Sequence, residues 1–400
     1  MGRVSAAGQR GRCTPVPEEP GSRPRLVYVV PHLSETESEH FAHIPALLAA
    51  LGTRVDVAAA VERGDPPARL PGVRLLLRVP GRSRPGRVLG ALLTVHRCAR
   101  AGYRTYFLRY STLFVTVLIL TYPVYRHRIF LWRSGTANMR LPGERRSLRH
   151  RVRHLVNKVT ARSVHCLVTG PETMVPVMAG QCGVPLHKMR LLYNDVDAER
   201  FAPLSADARR ATRVRLGWAE GEFVMLYVHR LSYRRGVRLL VPLLNAVLPA
   251  VKDPARDVRL VVVGDGPERS RLQHEAADPA LGGRMQVLGA VPNRDLPELY
   301  AAADCLVMPS YEEGFPRVLL EAMASGTPVV TTDAGGSADV VGTDYPYVAR
   351  VGDLEALVTH ARSVMLMPHE DRRALGQRLR QRARSEFSPQ RAAAMLEALL

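Results

Sequence analysis

Lysine is nearly absent: Lys158, Lys188 and Lys252 stand against 53 arginines. None of the three follows a glycine, which excludes a G-K-[ST] phosphate loop. Cysteine is scarce and scattered, at Cys13, Cys98, Cys166, Cys182 and Cys305 with no C-x-x-C pair, so the thiols read as reduced and structural. Long hydrophobic runs are missing too. The nearest approach, Tyr110 to Tyr125, is shorter than the roughly 20 apolar residues a span needs and contains Pro123. Residues 1–24 hold no apolar segment of a secretory signal and are expected to form a disordered tail on a cytoplasmic protein. What remains is an ordinary globular composition, 46% hydrophobic and 23% charged over 400 residues, enough for two or three domains.

Charge is unevenly placed. Residues 1–200 carry 31 Lys+Arg against 13 Asp+Glu, whereas residues 201–400 carry 25 against 24. The excess runs from Arg74 to Arg162 and includes Arg145, Arg146, Arg149, Arg151 and Arg153. Such a surface is either solvated arginine or attraction to something anionic, an acidic lipid or acceptor. No helix-turn-helix, zinc-finger or aromatic stacking signature points to nucleic acid.

Short apolar runs alternate with helix-length segments, the pattern of parallel α/β layers. Strands are expected at Leu26–Val30, Arg54–Ala58, Tyr103–Tyr110, Ile129–Trp132, Cys166–Thr169 and Met189–Tyr193. A helix capped at Ser34 or Ser38 carries Phe41, Ile44, Leu47 and Leu48 at helical spacing, and Thr112–Tyr122 reads as a buried helix. The polar stretch Asn194–Asp207 marks a boundary, after which strands recur at Phe223–Val228, Val258–Val263, Met285–Leu288, Cys305–Met308 and Pro328–Thr331. Two α/β domains result, residues 25–203 and 204–387. Ser388 and Pro389 start a last amphipathic helix, residues 388–400, which can return to the first domain.

In open parallel sheets, ligands bind beyond the carboxyl ends of strands, where free amides at helix starts hold phosphate. Three such ends in the second half carry suggestive residues. Arg230 and Arg235, followed by Gly236, place two guanidinium groups where a diphosphate could be bound bidentately. Gly264-Asp265-Gly266 forms a tight turn after a strand, with Arg269 in the place of a third fingerprint glycine. The densest stretch is Pro309 to Val330: Glu313 in a glycine turn, Pro316 opening a short helix, Glu321 within it and Gly326 closing it. The amides of Arg317, Val318 and Leu319 would face an anion, while the two carboxylates hold different hydroxyl groups of one extended ligand.

Together these segments closely resemble the retaining glycosyltransferases of family 4, which have the GT-B fold of two Rossmann-like domains facing across a cleft. The resemblance covers about residues 25–400 and is strongest from Phe223 to Val341. Its most specific part is the E-x7-E motif, Glu313 to Glu321, within Glu-Gly-Phe-Pro and Glu-Ala-Met-Ala-Ser-Gly-Thr-Pro-Val-Val. Asn194-Asp195-Val196-Asp197 with Phe201 resembles the family's interdomain segment, which argues against Asp195-x-Asp197 as a metal-binding pair.

The resemblance implies that Glu313 binds hydroxyls of the donor sugar and Glu321 the nucleotide ribose. It makes Arg230 and Arg235 binders of the leaving diphosphate, with Gly314, Phe315, Pro316, Val318 and Leu319 completing the pocket and Gly264 and Gly266 beside it. The co-substrate is a UDP or GDP sugar, with neither a metal nor another cofactor. Expected acceptors are lipid-linked, glycan or small natural products, and the basic half implies weak contact with an anionic inner membrane surface.

The first half departs from the family. Pro31 to Glu39 lacks the Gly-Gly loop, and Trp132-Arg133-Ser134-Gly135 stands where many members have a histidine. Arg133, Ser134, Arg109 and His32 are therefore candidates on the acceptor side, with Glu35 and Glu37. These departures leave two other readings open, a GT-B epimerase or hydrolase of the nucleotide sugar and a catalytically silent nucleotide-binding subunit.

Overall fold

The computed structural model of the protein describes residues 23–33, 43–81, 83–109, 111–133, 148–248 and 257–400. Two parallel sheets organise it. The first contains β1 (Arg25–Val30), β2 (Asp56–Val61), β3 (Val73–Arg78), β4 (Thr105–Arg109), β5 (Arg128–Trp132), β6 (Cys166–Thr169) and β7 (Met189–Leu191) in the order β3-β2-β1-β4-β5-β6-β7. The second contains β8 (Phe223–Val228), β9 (Val258–Val263), β10 (Met285–Gly289), β11 (Cys305–Met308), β12 (Val329–Thr332) and β13 (Val348–Ala349) in the order β10-β9-β8-β11-β12-β13.

Both sheets run outward from their first strand and then resume on its other side. Each therefore has a switch point where the chain reverses its direction of travel, between β1 and β4 and between β8 and β11, and such points open a crevice at the carboxyl ends of the strands.

The strands are continuous apolar runs because both faces are covered by helices. In β8, Phe223, Met225 and Tyr227 enter one core while Val224, Leu226 and Val228 enter the other. In β1, Val27 and Val29 face one way and Leu26, Tyr28 and Val30 the opposite way. Cys98, Cys166, Cys182 and Cys305 are buried free thiols. Burial pushes the Cys98 thiol up to about 12, which removes its reactivity at neutral pH.

Several expected elements shift. The first helix is Ile44–Gly52 with His43 at the cap position and proline in its first turn. Ser34 and Ser38 are thus not its cap, and both lie outside the described residues, as does Phe41. The second strand begins at Asp56, because Arg54 and Val55 still donate to the Leu51 carbonyl in the turn that ends this helix. The expected buried helix extends over Thr112–Tyr125 with Pro123 in its last turn, and it is buried on one side only: Leu120 is 72% and Val124 74% exposed. The helices Arg84–Arg100 and Leu148–Ser163 and the strands β3 and β13 had no sequence expectation. Among the described residues no helix is long and apolar enough to cross a membrane.

The helix Pro389–Glu397 starts with Ser388 accepting from the Arg391 amide. It packs Ala392, Ala393 and Leu396 into the core formed by Ile44, Leu47, Leu48 and Leu51, and Glu397 pairs with Arg54 at 2.8 Å. The chain's end is thereby fixed to its first sheet. Leu396 is fully buried, so Leu396→Ala is expected to destabilise the protein by about 2–5 kcal/mol, read as a lower urea midpoint; an unchanged midpoint would contradict this packing.

Candidate functional site

At the second switch point, β8 ends in His229-Arg230 and β11 ends before the loop Pro309–Pro316. The loop brings Glu313 back toward β8. Its carboxylate is 4% exposed and its Oε1 lies 2.6 Å from Arg235 Nη1 and 3.1 Å from His229 Nε2, and accepts from the Ser310 hydroxyl at 2.8 Å. His229 Nδ1 accepts from the Arg230 amide at 2.7 Å, which assigns the ring proton to Nε2 facing Glu313. Burial by itself would raise the Glu313 carboxyl, but His229, Arg235 and Ser310 together outweigh it and hold it at about 2. The result is an acceptor that is charged at neutral pH, at a water-poor strand end.

Arg235 is fixed by a further bond to the Glu312 carbonyl, and the neighbouring Arg234 pairs with the Glu312 carboxylate. Gly236, at φ +70°, sits where a Cβ would come within 1.8 Å of the Pro309 carbonyl oxygen, so only glycine lets this turn lie on the β11 loop. Arg230, which follows β8 directly after His229, is exposed.

The helix Arg317–Ala324 follows, with Pro316 at the cap position and no side-chain cap. Its first-turn amides, those of Arg317, Val318 and Leu319, therefore remain available for an anion. Glu321 lies one turn in, buried, and accepts from the Tyr300 hydroxyl at 3.0 Å. Burial raises its carboxyl, partly offset by Arg317 and Tyr300. The two glutamates of the motif thus have opposite environments.

The other expected donor residues make defined contacts of their own. The Gly264 amide donates to the Gly289 carbonyl at 2.7 Å and the Gly266 amide to Asp265 Oδ1 at 2.7 Å, so neither amide is free for a phosphate. Both glycines instead let this turn touch the backbone of His229 and Leu231. The ring of Phe315 is 5% exposed and packs against Tyr193 and Phe387 where the two sheets' units meet. Gly314 accepts from the Gly336 amide through its carbonyl.

The described acceptor-side candidates lie at the ends of β1, β4 and β5. Arg109, the last residue of β4, is buried, lies over the Trp132 ring at 4.6 Å and donates to Asn194 Oδ1 at 3.0 Å. Asn194 in turn donates to the Phe315 carbonyl at 2.9 Å. Arg109 is thus a junction residue that ties the first sheet to the loop Pro309–Pro316. Arg133 continues the β5–β6 pairing through its amide on the Val168 carbonyl, 2.8 Å away, and burial pushes its guanidinium down. His32 is half-buried after β1. Ser134, Glu35 and Glu37 lie outside the described residues.

Sequence reasoning did not single out His229, Ser310 or Tyr300. His229 adjoins Arg230 and Ser310 lies within the Pro309–Val330 stretch, but Tyr300 reaches Glu321 only through the tertiary fold. Asp195 and Asp197 also part company. Asp195 is fully buried near Arg317 and Arg109, and burial raises its carboxyl. Asp197 accepts from the Glu199 and Arg200 amides in a turn.

Residues 208–382 match the family model described as Glycosyl transferases group 1. The chain is 29% identical over 220 residues to the 2-deoxystreptamine glucosyltransferase of Streptomyces kanamyceticus, covering 54% of this chain and 56% of that protein. It is 37% identical over 204 residues to the D-inositol 3-phosphate glycosyltransferase of Salinispora tropica, covering 48% and 42%. The chain spans about half the length of these relatives. Among solved structures, sucrose-phosphate synthase from Thermosynechococcus elongatus superposes with a TM-score of 0.75 at 22% identity over 94% of this chain and 98% of that one. Anabaena HepE in complex with UDP-glucose superposes with a TM-score of 0.71 at 17% identity over 94% and 99%. The chain has the GT-B fold. The stretch that matches the glycosyl transferases group 1 model includes every residue of the Glu313 cluster.

A carboxyl lowered in the folded state adds stability that is present above its unfolded value, 4.5, and is lost as pH falls through about 2. The urea midpoint of the wild type is expected to fall relative to Glu313→Gln between about pH 4.5 and pH 2, with a constant difference above pH 5. A difference independent of pH throughout would contradict the ionised Glu313.

Proposed function

We propose that the protein is a retaining glycosyltransferase that moves a hexosyl group from a UDP or GDP sugar to an acceptor. The observation that carries this reading is an ionised Glu313 held by Arg235 and His229 where the ends of β8 and β11 adjoin, with Arg230 at the β8 end and the uncapped start of a helix after Glu313. Breaking a sugar–phosphate bond develops negative charge on the leaving diphosphate and positive charge at the anomeric carbon. Arg230, Arg235 and the amides of Arg317, Val318 and Leu319 stabilise the former, without calling on a metal ion. Glu313 accepts from sugar hydroxyls and places its negative charge near the developing cation, while Glu321 accepts from the ribose.

The role of the bonds around Glu313 is preorganisation. Its carboxylate is aimed before substrate arrives, so little reorganisation is left for the transition state. The retaining outcome is supported by the resemblance to family 4, and the nucleotide by the UDP-glucose complex of the similarly folded Anabaena protein.

The acceptor is proposed to be a lipid-linked phosphate or acidic glycan at an anionic cytoplasmic membrane face. Residues 66–171 contain a single acid, Glu144, against 21 Lys+Arg. Within this stretch the helices Arg84–Arg100, Thr112–Tyr125 and Leu148–Ser163 pack side by side and expose Leu89, Leu93, Leu120, Val124, Leu155 and Val159. Apolar side chains among arginines suit the headgroup region of an acidic bilayer. A small soluble acceptor is the second reading, favoured by the similarity to the 2-deoxystreptamine glucosyltransferase.

Glu313→Ala and Arg230→Ala are each expected to lower turnover of the nucleotide sugar about 100-fold or more, measured by nucleoside diphosphate release in the presence of an acceptor panel. Unchanged turnover in both would refute the assignment. Epimerised or free sugar formed without acceptor would support the epimerase or hydrolase instead, and nucleotide binding with no turnover a silent subunit.

For the membrane reading, sedimentation with anionic phosphatidylglycerol vesicles is expected to exceed that with neutral phosphatidylcholine vesicles. It should weaken at high salt and in Leu89→Asp/Leu155→Asp. Equal partitioning to both vesicle types would contradict it.

A further inference from the structure

A cavity of about 750 Å³ lies within the second unit, away from the Glu313 cluster. It is bounded by the start of the helix Ala206–Arg215, the end of the helix Arg317–Ala324 with Ser325 and Gly326, and the start of the helix His369–Glu386. The volume falls within the range of small-molecule sites.

Its lining is strongly cationic. Arg209, Arg210, Arg213, Arg372, Arg373 and Arg380 face two carboxylates, Asp304 and Glu220. Asp304 is already shared by Arg209 at 2.9 Å, Arg213 at 3.0 Å and Arg372 at 3.7 Å, and Glu220 is engaged by Arg210 at 3.0 Å. Positive charge therefore remains in surplus after every lining acid has been used. The first-turn acids Asp207, Glu370 and Asp371 are exposed and do not line the cavity.

Two further observations point the same way. Two helices, of 10 and 18 residues, begin at the cavity, and helix starts carry partial positive charge; in the first, the Ser205 hydroxyl already accepts from the Ala208 amide. The lining residue Ser325 is 3% exposed and, among the described residues, its hydroxyl has no hydrogen-bond partner. Leu204, Val214 and Trp218 supply an apolar wall opposite this charge. The cavity is thus suited to an anion with an organic body.

We infer that this cavity binds a small organic phosphate, at a site separate from the donor cleft. Arg209, Arg210 and Arg373 contact the phosphate and the apolar wall holds the remainder. The bound molecule would touch Ser325 at the end of the same helix that carries Glu321, and so reach the donor site from behind.

The experiment uses inorganic pyrophosphate as the probe, titrated calorimetrically into the full chain carrying Arg230→Ala/Arg235→Ala, which silences the donor-side guanidinium groups. Pyrophosphate is expected to bind this variant at one site, and adding Arg210→Ala/Arg373→Ala is expected to weaken binding at least tenfold. Both added substitutions are at exposed side chains, and an unchanged thermal midpoint without probe confirms folding. Absence of binding to Arg230→Ala/Arg235→Ala would overturn the inference, because the donor cleft would then account for all pyrophosphate binding. Affinity unaltered by Arg210→Ala/Arg373→Ala would overturn it too.

Discussion

A carboxylate buried at the carboxyl end of a parallel sheet must be matched by positive charge or it takes up a proton. Glu313 meets this constraint with Arg235, His229 and Ser310, drawn from two strand ends. That match requires β8 and β11 to be neighbours, the Gly236 turn to lie against Pro309, and the β9 turn to close on His229. Much of the second unit's architecture follows from holding one ionised group where water is scarce. Glu321 is the contrast: eight residues on, in the same motif, its burial raises the carboxyl and Tyr300 serves as donor. One acid is prepared to face charge and the other to accept hydrogen bonds from neutral hydroxyl groups.

The two sheets share one strand order, and their switch points present the strand ends between which a GT-B substrate lies. The junction between them is specific. Arg109 from β4 holds Asn194, and Asn194 holds the Phe315 carbonyl two residues past Glu313. Phe315 itself is packed among Tyr193 and Phe387. The loop that carries Glu313 is therefore tethered to the first sheet by both a polar chain and an aromatic cluster.

Much of this was legible in the sequence. Val258–Val263 and Cys305–Met308 are uninterrupted apolar runs, which only doubly covered strands need, and their bounds agree with β9 and β11. Strand β3, Val73–Arg78, escaped notice because it is an edge strand with arginines at positions 74 and 78 and reads as charge. The helix Leu148–Ser163 was hidden in the same way by its arginines. Within the site, Glu313 and Glu321 were readable because their spacing is local, and Arg235 because it stands near Arg230 after a strand and before Gly236. Tyr300 was not, since its contact spans 21 residues and depends on helix packing. Arg109 is a candidate from its position at a strand end and Phe315 from the family resemblance; the junction contacts that both make depend on tertiary packing.

The central claim is that the Glu313 cluster and the helix that follows form a nucleotide-sugar site. Calorimetric titration of UDP and of GDP into the wild type and into Glu321→Ala tests it most directly. The account predicts that one of the two nucleotides binds and that the substitution weakens it at least tenfold. Failure of the folded wild type to bind either nucleotide would contradict it.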